Sequence, residues 1–151
     1  MELIQGGYKV QAGSSRERAL LVKFMQKTYQ ELAPKQDFSH LALTVEQYLS
    51  RETPLWWVND RNSPVACLWA GNATDQITGD RIAHIFLLYV APEHRRRGIA
   101  TALIGLVETW AIDKGLGEVT LQVFQANSSA LNLYNKLGYQ TQSLSMVKPL
   151  K

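Results

Sequence analysis

The strongest constraint on the fold is an apolar stretch that passes through a basic turn directly into a helical pattern. Residues 81–90 are almost continuously apolar and β-prone, which is typical of a buried central strand. A His-Arg-Arg-Arg-Gly turn follows at residues 94–98, and from residue 99 apolar side chains recur at steps of three and four. A strand joined in this way to a helix predicts an α/β fold whose turn exposes unpaired backbone N–H groups.

Weaker patterns predict the remaining strands and helices of the 151-residue chain. Further strands are expected at residues 8–11, 55–58, 64–70, 118–124 and 139–147. Further helices are expected after the capping sequences at 14–17 and 44–47 and after Asn127, the first ending before Pro34 and the last before Gly138. No repeat or linker interrupts this order, so we predict a single domain over residues 1–151.

Much of the formal net charge of +3 can be traced to the turn at residues 94–97. Nucleic-acid binding would require a broader basic face or a known binding module, so a small polyanionic ligand fits better.

Cys67 is the only cysteine and lies in an apolar run, which favours a core role over a nucleophile. The start of the chain lacks the regions of a secretion signal, and no eighteen apolar residues run together, so we expect a cytoplasmic protein.

The basic turn has the features of an anion site. Unpaired N–H groups and the positive end of the following helix dipole favour a negative ligand, each charge contact contributing about 0.3 to 2 kcal/mol. Gly98 allows the backbone to approach a ligand closely, and the arginines can reach outlying phosphates. The turn lacks the Gly-Lys-Ser/Thr of a Walker loop and the second glycine of a Rossmann fingerprint. The expected ligand therefore carries a pyrophosphate, and neither a nucleoside triphosphate nor NAD is favoured.

Two motifs, in order along the chain, resemble the GNAT superfamily of N-acetyltransferases. Residues 95–100, Arg-Arg-Arg-Gly-Ile-Ala, match the family's acetyl-CoA loop, Arg/Gln-x-x-Gly-x-Gly/Ala, at every defined position. Residues 127–139 begin Asn-Ser-Ser-Ala, contain a tyrosine at 134 and end in Gly-Tyr, like the family's later motif. The resemblance is specific from about His84 to Tyr139, and the preceding elements agree with the family in their order alone.

The resemblance implies a GNAT-like fold and acetyl-CoA as the acyl donor. That fold has a central mixed sheet of six to seven strands, in which the parallel strands 4 and 5 splay apart, and about four flanking helices. The pantetheine arm of acetyl-CoA lies between the splayed strands in this family and pairs with the backbone of the first. The implied cofactor-binding residues are Leu88, Val90, Arg95, Arg96, Arg97, Gly98, Ile99, Ala100, Thr101 and Asn127.

Acetyl transfer to an amine benefits from a base and an acid. An alkylamine with a pKa near 10.4 is neutral in only about one molecule in two to three thousand at pH 7. By resemblance, Tyr134 has the position of the family's tyrosine that protonates the departing thiolate. His84 lies as far before the acetyl-CoA loop at Arg95 as the glutamate base of the family's histone-acetylating branch lies before its own loop. The ordinary pKa of histidine, near 6.5, suits proton transfer. A structural role is the alternative for both residues, and the N–H of Val90 is a candidate donor to the thioester oxygen.

Two functions stay open at this point. The first is an N-acetyltransferase that acts by direct attack in a ternary complex on the primary amine of a small molecule, an amino acid or a peptide. The second is a catalytically inactive acyl-CoA-binding sensor, which histidine in place of the family's glutamate allows. No metal is expected, because the three histidines are scattered in the sequence. Neither nucleic acid nor a membrane is an expected partner, and a homodimer would agree with many relatives.

Overall fold

The computed structural model describes residues 6–151, which form two compact units, one that extends to Leu121 and one from Gln122 to Lys151. The strands of the first unit are β1 (Tyr8–Ala12), β2 (Leu55–Asp60), β3 (Ser63–Thr74), β4 (Arg81–Val90) and β5 (Val119–Leu121). Its α-helices are α1 (Arg18–Leu32), α2 (Leu41–Tyr48) and α3 (Ile99–Asp113), and the second unit contains α4 (Ser128–Lys136).

Some expectations concern the chain as a whole. The absence of a secretion signal was inferred partly from residues 1–5, which lie outside the described residues. The single domain over residues 1–151 stays a prediction. Among the helices of residues 6–151, none combines the length and the apolar character that a membrane crossing requires.

The five strands form one mixed sheet in the order β1-β2-β3-β4-β5. All neighbouring pairs are antiparallel except β4 and β5, which are parallel. A parallel pair needs a crossover connection, and α3 supplies it because the basic turn leads from β4 into this helix. The predicted α/β class and its parallel fourth and fifth strands are confirmed.

The strand predicted over residues 139–147 is not formed, so the sheet has five strands instead of six or seven. A strand needs backbone partners, and residues 122–151 contain no strand with which this segment could pair inside its own unit. Three of its apolar residues are largely exposed, namely Leu144, Met146 and Val147. The strand predicted at 118–124 is also shorter, because β5 ends at Leu121.

Helices α1 and α2 pack on an aromatic-rich core that includes side chains of β2, β3 and β4. Trp57 and Trp69 are buried in it, and Phe24 packs edge-on against Trp57 with ring centroids 5.3 Å apart. Cys67 has no exposed surface, which confirms its predicted core role. Helix α3 packs against β3 and β4. Full burial of one large apolar side chain stabilises a fold by about 1.5–3 kcal/mol, so this core holds β4 firmly in place.

A β-bulge in β4 changes which side chains share a face of the sheet. Leu87 and Ile85 pair with consecutive residues of β3, which leaves Phe86 as the extra residue. Phe86 and Leu87 therefore both face the core of α1 and α2. The Phe86 ring lies 4.8 Å from that of Trp69 and 5.5 Å from that of His84. The bulge thus places His84 and Phe86 side by side on the same face as this core.

The two capping predictions have different outcomes. The capping box of Ser14 and Glu17 is present, since the N–H of Ser14 donates to the Glu17 carboxylate at 2.7 Å. The helix start predicted at Thr44 is wrong, because α2 begins at Leu41. The Thr44 hydroxyl donates to the carbonyl oxygen of His40, one turn earlier, at 3.4 Å. Threonine can satisfy its hydroxyl in this way inside a helix, so the sequence pattern did not distinguish the two positions.

Candidate functional site

The parallel strands β4 and β5 are paired along only part of β4. Residues 83–85 pair with residues 119–121, and β4 then continues to Val90. Ala91 donates its N–H to β3 at 2.8 Å, so the alternation of an antiparallel ladder turns the N–H groups of Leu88 and Val90 away from β3. This edge of β4 carries donors and acceptors with which an extended ligand could pair.

The turn between β4 and α3 has a conformation that exposes its amides. One 3-10 turn at Pro92–His94 is followed by Arg96 and Gly98, whose φ angles of 63° and 81° lie in the left-handed region. In the described chain the N–H groups of residues 96–98 donate no hydrogen bond. Apart from its two chain neighbours, none of residues 6–151 lies within 4 Å of a Cβ placed on Gly98. Unpaired donors and open space at the positive end of α3 fit a pyrophosphate.

The three arginines of the turn have different surroundings. Arg95 forms an ion pair with Glu31, with 2.6 Å between Nη2 and Oε1. Arg97 donates from Nη1 to the hydroxyl of Tyr8 at 2.8 Å. Arg96 is exposed and has no hydrogen-bond or ion-pair partner among residues 6–151. The guanidinium of Arg96 is therefore wholly available to a phosphate, whereas the other two arginines also hold the turn in place.

Tyr8 connects the first strand to the basic turn. Its side chain is 1% exposed, and its hydroxyl lies 2.8 Å from Nδ1 of His94 and 2.8 Å from Nη1 of Arg97. A guanidinium group can only donate, so the phenol oxygen accepts from Arg97 and its own proton can be donated to His94. The rings of Tyr8 and His94 also pack edge to face, with centroids 5.6 Å apart. The turn is thereby fastened to β1.

The predicted base, His84, lies where β4 and β5 are still paired. It is in register with Thr120, and its Nδ1 lies 2.8 Å from the threonine hydroxyl oxygen. Burial lowers the pKa of His84 below its ordinary value. The imidazole is therefore neutral at pH 7, and one of its nitrogens carries a lone pair that can accept a proton. The rings of Phe86 and Tyr48, stacked with centroids 5.8 Å apart, continue the surface from His84.

The second unit carries the later motif on α4. Asn127 is the N-cap, and its Oδ1 accepts from the N–H of Ala130 at 3.3 Å. The helix ends before Gly138, as predicted, and Gly138 has a left-handed conformation with φ of 94°. The cap uses only the oxygen of the Asn127 amide, so its N–H donors can serve a ligand. Burial raises the pKa of Tyr134, which keeps this phenol protonated at neutral pH. Its ring packs edge to face with Tyr139, with centroids 6.0 Å apart.

The remaining predicted cofactor-binding residues lie in the first turn of α3. Ile99 is 1% exposed and anchors α3 in the core, so only its backbone can face a ligand. Ala100 is half-buried and Thr101 is exposed in the first turn of α3. Burial raises the pKa of the Cys67 thiol, which disfavours a thiolate nucleophile. Within residues 6–151 no three His, Cys, Asp or Glu side chains come together as metal ligands.

Three residues that shape the site were missed in the sequence, namely Tyr8, Glu31 and Thr120. Each contacts a predicted site residue that is 36 to 89 positions away along the chain. Local periodicity carries no information about such partners. The one usable signal was the polar Thr120 between Val119 and Leu121 in a predicted strand, which could have marked a side chain with a polar partner.

Comparison with known proteins identifies relatives of this chain. The sequence model described as the acetyltransferase (GNAT) family matches residues 19–139. Human N-acetyltransferase 8 is 33% identical over 96 residues, which are 63% of this chain and 42% of that protein. An acetyltransferase of Yersinia pestis strain Pestoides F is 29% identical over 105 residues, which are 70% of this chain and 71% of that protein. The chain spans less than half the length of the mammalian N-acetyltransferases that it matches.

The solved structures agree with the sequence comparison. A predicted acetyltransferase from Clostridium acetobutylicum, solved with acetyl-CoA, superposes with a TM-score of 0.77 over 95% of this chain and 96% of that chain, at 18% identity. At this identity the likeness shows the fold, and the fold is the one that the parallel pair of β4 and β5 and the basic turn indicate. Because the family match runs from α1 through the later motif and covers most of the chain, this protein belongs to the acetyltransferase (GNAT) family.

Proposed function

We propose that this chain transfers the acetyl group of acetyl-CoA to the primary amine of a small molecule, an amino acid or a peptide. The observation that carries the proposal is the turn at residues 96–98, which follows the partly unpaired strand β4 and whose amides have no hydrogen-bond acceptor among residues 6–151. Acetyl-CoA is the acyl donor of the GNAT family, and its pyrophosphate and extended pantetheine arm match these two features. The name of human N-acetyltransferase 8 supports an amine as the acceptor.

The donor is held mainly by backbone groups in this proposal. The N–H groups of residues 96–101 and the dipole of α3 bind the pyrophosphate, and the guanidinium of Arg96 adds a charged contact. Leu88 and Val90 lie beside the pantetheine arm, the backbone of Leu88 pairs with it, and the side-chain N–H donors of Asn127 hydrogen-bond to it. Bound acetyl-CoA supplies the acyl thioester. The Nε of Arg95 donates to the carbonyl oxygen of Val90 at 2.8 Å and so helps to fix this end of β4. In this proposal the N–H of Val90 donates to the thioester oxygen as that oxygen becomes negative.

His84 is the proposed base. Its neutral imidazole accepts a proton from the neutral acceptor amine, directly or through one water, as the amine nitrogen attacks the thioester carbonyl. The ring of Phe86 beside it, and that of Tyr48 beyond, provide an apolar surface that could exclude water from the amine. A positioned general base typically contributes about 10²- to 10⁴-fold to the rate.

Tyr134 is the proposed acid. Acyl transfer releases the thiolate of coenzyme A, and a phenol can donate a proton to it without carrying charge at neutral pH. Burial raises the pKa of Tyr134, so the phenol carries its proton at neutral pH when the thiolate departs. Direct attack in a ternary complex needs no acetyl-enzyme, which agrees with the burial of Cys67.

The decisive experiment measures release of free thiol from acetyl-CoA with a panel of small amines, amino acids and peptides. We expect at least one amine class to be acetylated, and Tyr134→Phe to lower kcat by about tenfold or more while the protein stays folded. Acetyl-CoA at one hundred times its Kd should stabilise the fold by about 2.7 kcal/mol. Stabilisation without turnover of any amine would favour the acyl-CoA sensor instead.

The pH dependence tests the base separately. With an alkylamine, log(kcat/KM) should rise with slope one at neutral pH, because the neutral fraction of the amine rises. Below the lowered pKa of His84 the slope should approach two, because this imidazole becomes protonated and inactive. His84→Asn is the matched variant, since its amide nitrogen can keep the contact to Thr120 without offering a base. We expect it to lower kcat by about 10²- to 10⁴-fold and to leave slope one throughout.

A further inference from the structure

We propose that Thr120 is a positioning residue that holds His84 in the tautomer with the proton on Nδ1, so that Nε2 presents its lone pair to the acceptor amine. This inference rests on the proposed base role of His84. The Thr120 hydroxyl oxygen makes two contacts, 2.8 Å to Nδ1 of His84 and 3.3 Å to the carbonyl oxygen of Ala83.

The two contacts of Thr120 determine where the protons lie. A carbonyl oxygen cannot donate, so in the contact with Ala83 the threonine hydroxyl is the donor. Its single proton is then used, and the hydroxyl oxygen can only accept from His84. The arrangement in which both contacts are hydrogen bonds is therefore the chain from Nδ1–H of His84 through the Thr120 hydroxyl to the carbonyl oxygen of Ala83.

The tautomer decides whether His84 can work as a base. The proton on one ring nitrogen is set by the hydrogen bond that this nitrogen makes, and the other nitrogen then has the opposite character. With Nδ1 protonated, Nε2 is an acceptor and can take a proton from the amine. In the other tautomer Nε2 carries a proton already, and the nitrogen with the lone pair faces Thr120 instead of a substrate.

The backbone around this pair is held firmly. His84 and Thr120 are direct partners in the parallel ladder, and the neighbouring N–H of Ala83 donates to the carbonyl oxygen of Glu118 at 2.9 Å. Threonine is branched at Cβ, so its χ1 rotamers are restricted. The ring of Phe86 packs against the His84 ring at an interplanar angle of 75°. The hydroxyl and the imidazole are therefore presented to one another by two paired strands, with little freedom to turn apart.

Nitrogen NMR on protein labelled with ¹⁵N-histidine tests the tautomer directly. Two-bond correlations between ring protons and ring nitrogens distinguish protonated from unprotonated nitrogens. The signals that are absent from the spectrum of His84→Asn are those of His84, one of the three histidines. At a pH where the ring is neutral, we expect Nδ1 to be protonated in the wild type. Thr120→Val keeps the branched shape but removes the hydroxyl, so the Nδ1 proton should no longer be favoured. Thr120→Ser keeps the hydroxyl and should restore the wild-type spectrum.

Kinetics then connect the tautomer to catalysis. We expect Thr120→Val to lower kcat by about tenfold, with the KM for acetyl-CoA unchanged, because part of the 10²- to 10⁴-fold contribution of a general base is lost. Thr120→Ser should recover most of this loss. The inference would be overturned if His84 of the wild type carried its proton on Nε2, or if Thr120→Val changed neither the tautomer nor kcat. In either case the base role of His84 would still be supported by a loss of activity in His84→Asn. Full activity of His84→Asn would instead remove the base role, and with it the purpose assigned to Thr120.

Discussion

The hydroxyl of Tyr8 accepts a hydrogen bond of 2.8 Å from Arg97, a residue 89 positions later in the chain. The same hydroxyl contacts His94, so one buried phenol connects the first strand of the sheet to both ends of the basic turn. The amides at residues 96–98 can face a ligand only while this turn keeps its conformation. A distant and buried side chain therefore preorganises a site that is built mostly from backbone groups.

Removal of the Tyr8 hydroxyl should weaken both the fold and the donor site. Tyr8→Phe leaves Arg97 and His94 without their shared partner, so we expect the free energy of unfolding to fall by about 1–3 kcal/mol. The Kd for acetyl-CoA should rise as well, because the turn loses a contact that orders it. Urea unfolding and calorimetric titration measure the two effects. Tyr48→Phe, which alters a 48% exposed tyrosine, should change the unfolding free energy by less than about 0.5 kcal/mol.

Arg95 and Arg96 should differ in how their substitution changes the salt dependence of acetyl-CoA binding. Arg96→Gln removes the guanidinium that has no partner in the described part of the chain, so we expect a several-fold higher Kd for acetyl-CoA at low salt and a flatter dependence of Kd on salt. Arg95→Gln breaks an exposed ion pair with Glu31, worth at most about 1 kcal/mol. Glu31→Gln is its matched control, because it breaks the same pair and leaves the charge of the turn unchanged. Equal Kd values for Arg96→Gln and the wild type would exclude Arg96 from the donor site.

Gly98 should be sensitive to alanine for a conformational reason. Its φ of 81° is unfavourable for a residue with a Cβ, although that Cβ would meet no described residue within 4 Å beyond its two chain neighbours. We expect Gly98→Ala to lower the free energy of unfolding by about 1 kcal/mol and to raise the KM for acetyl-CoA. Gly105→Ala is the control, since Gly105 lies inside α3 with equally open surroundings. Alanine there should stabilise the protein by about 0.5–1 kcal/mol, and a similar loss at both positions would contradict the argument.

The thiol of Cys67 should be unreactive in the folded protein. It has no exposed surface, and burial raises the pKa of its thiol, so alkylation by iodoacetamide should require unfolding. Cys67→Ala should retain the kcat of acetyl transfer, at a small cost in stability from the lost sulfur. Mass spectrometry after alkylation and thiol-release kinetics measure the two outcomes. An acetylated Cys67 during turnover would replace direct attack by a two-step mechanism.

Much of the fold could be predicted from local patterns. The strand over residues 81–90, the cap at Asn127 and the end of the last helix before Gly138, which has a positive φ, all match the structure. In each case the physical cause is local: a continuous apolar run, a side chain that bonds a nearby N–H, or a glycine at positive φ. The exposed amides of the basic turn were predicted for the same reason, since they belong to consecutive residues.

The tertiary structure decided what depends on distant partners. A strict alternation along β4 would have put His84 on the face of Leu88 and Val90, and the bulge at Phe86 puts it on the other. The strand expected at residues 139–147 did not form, because strand propensity has no effect without a partner to pair with. The sequence by itself determined a helix-starting turn rich in donors and a histidine upstream of it. Only the pairing of β4 with β5 brought Thr120 to that histidine, since hydrogen bonds between strands join residues that are far apart in the chain.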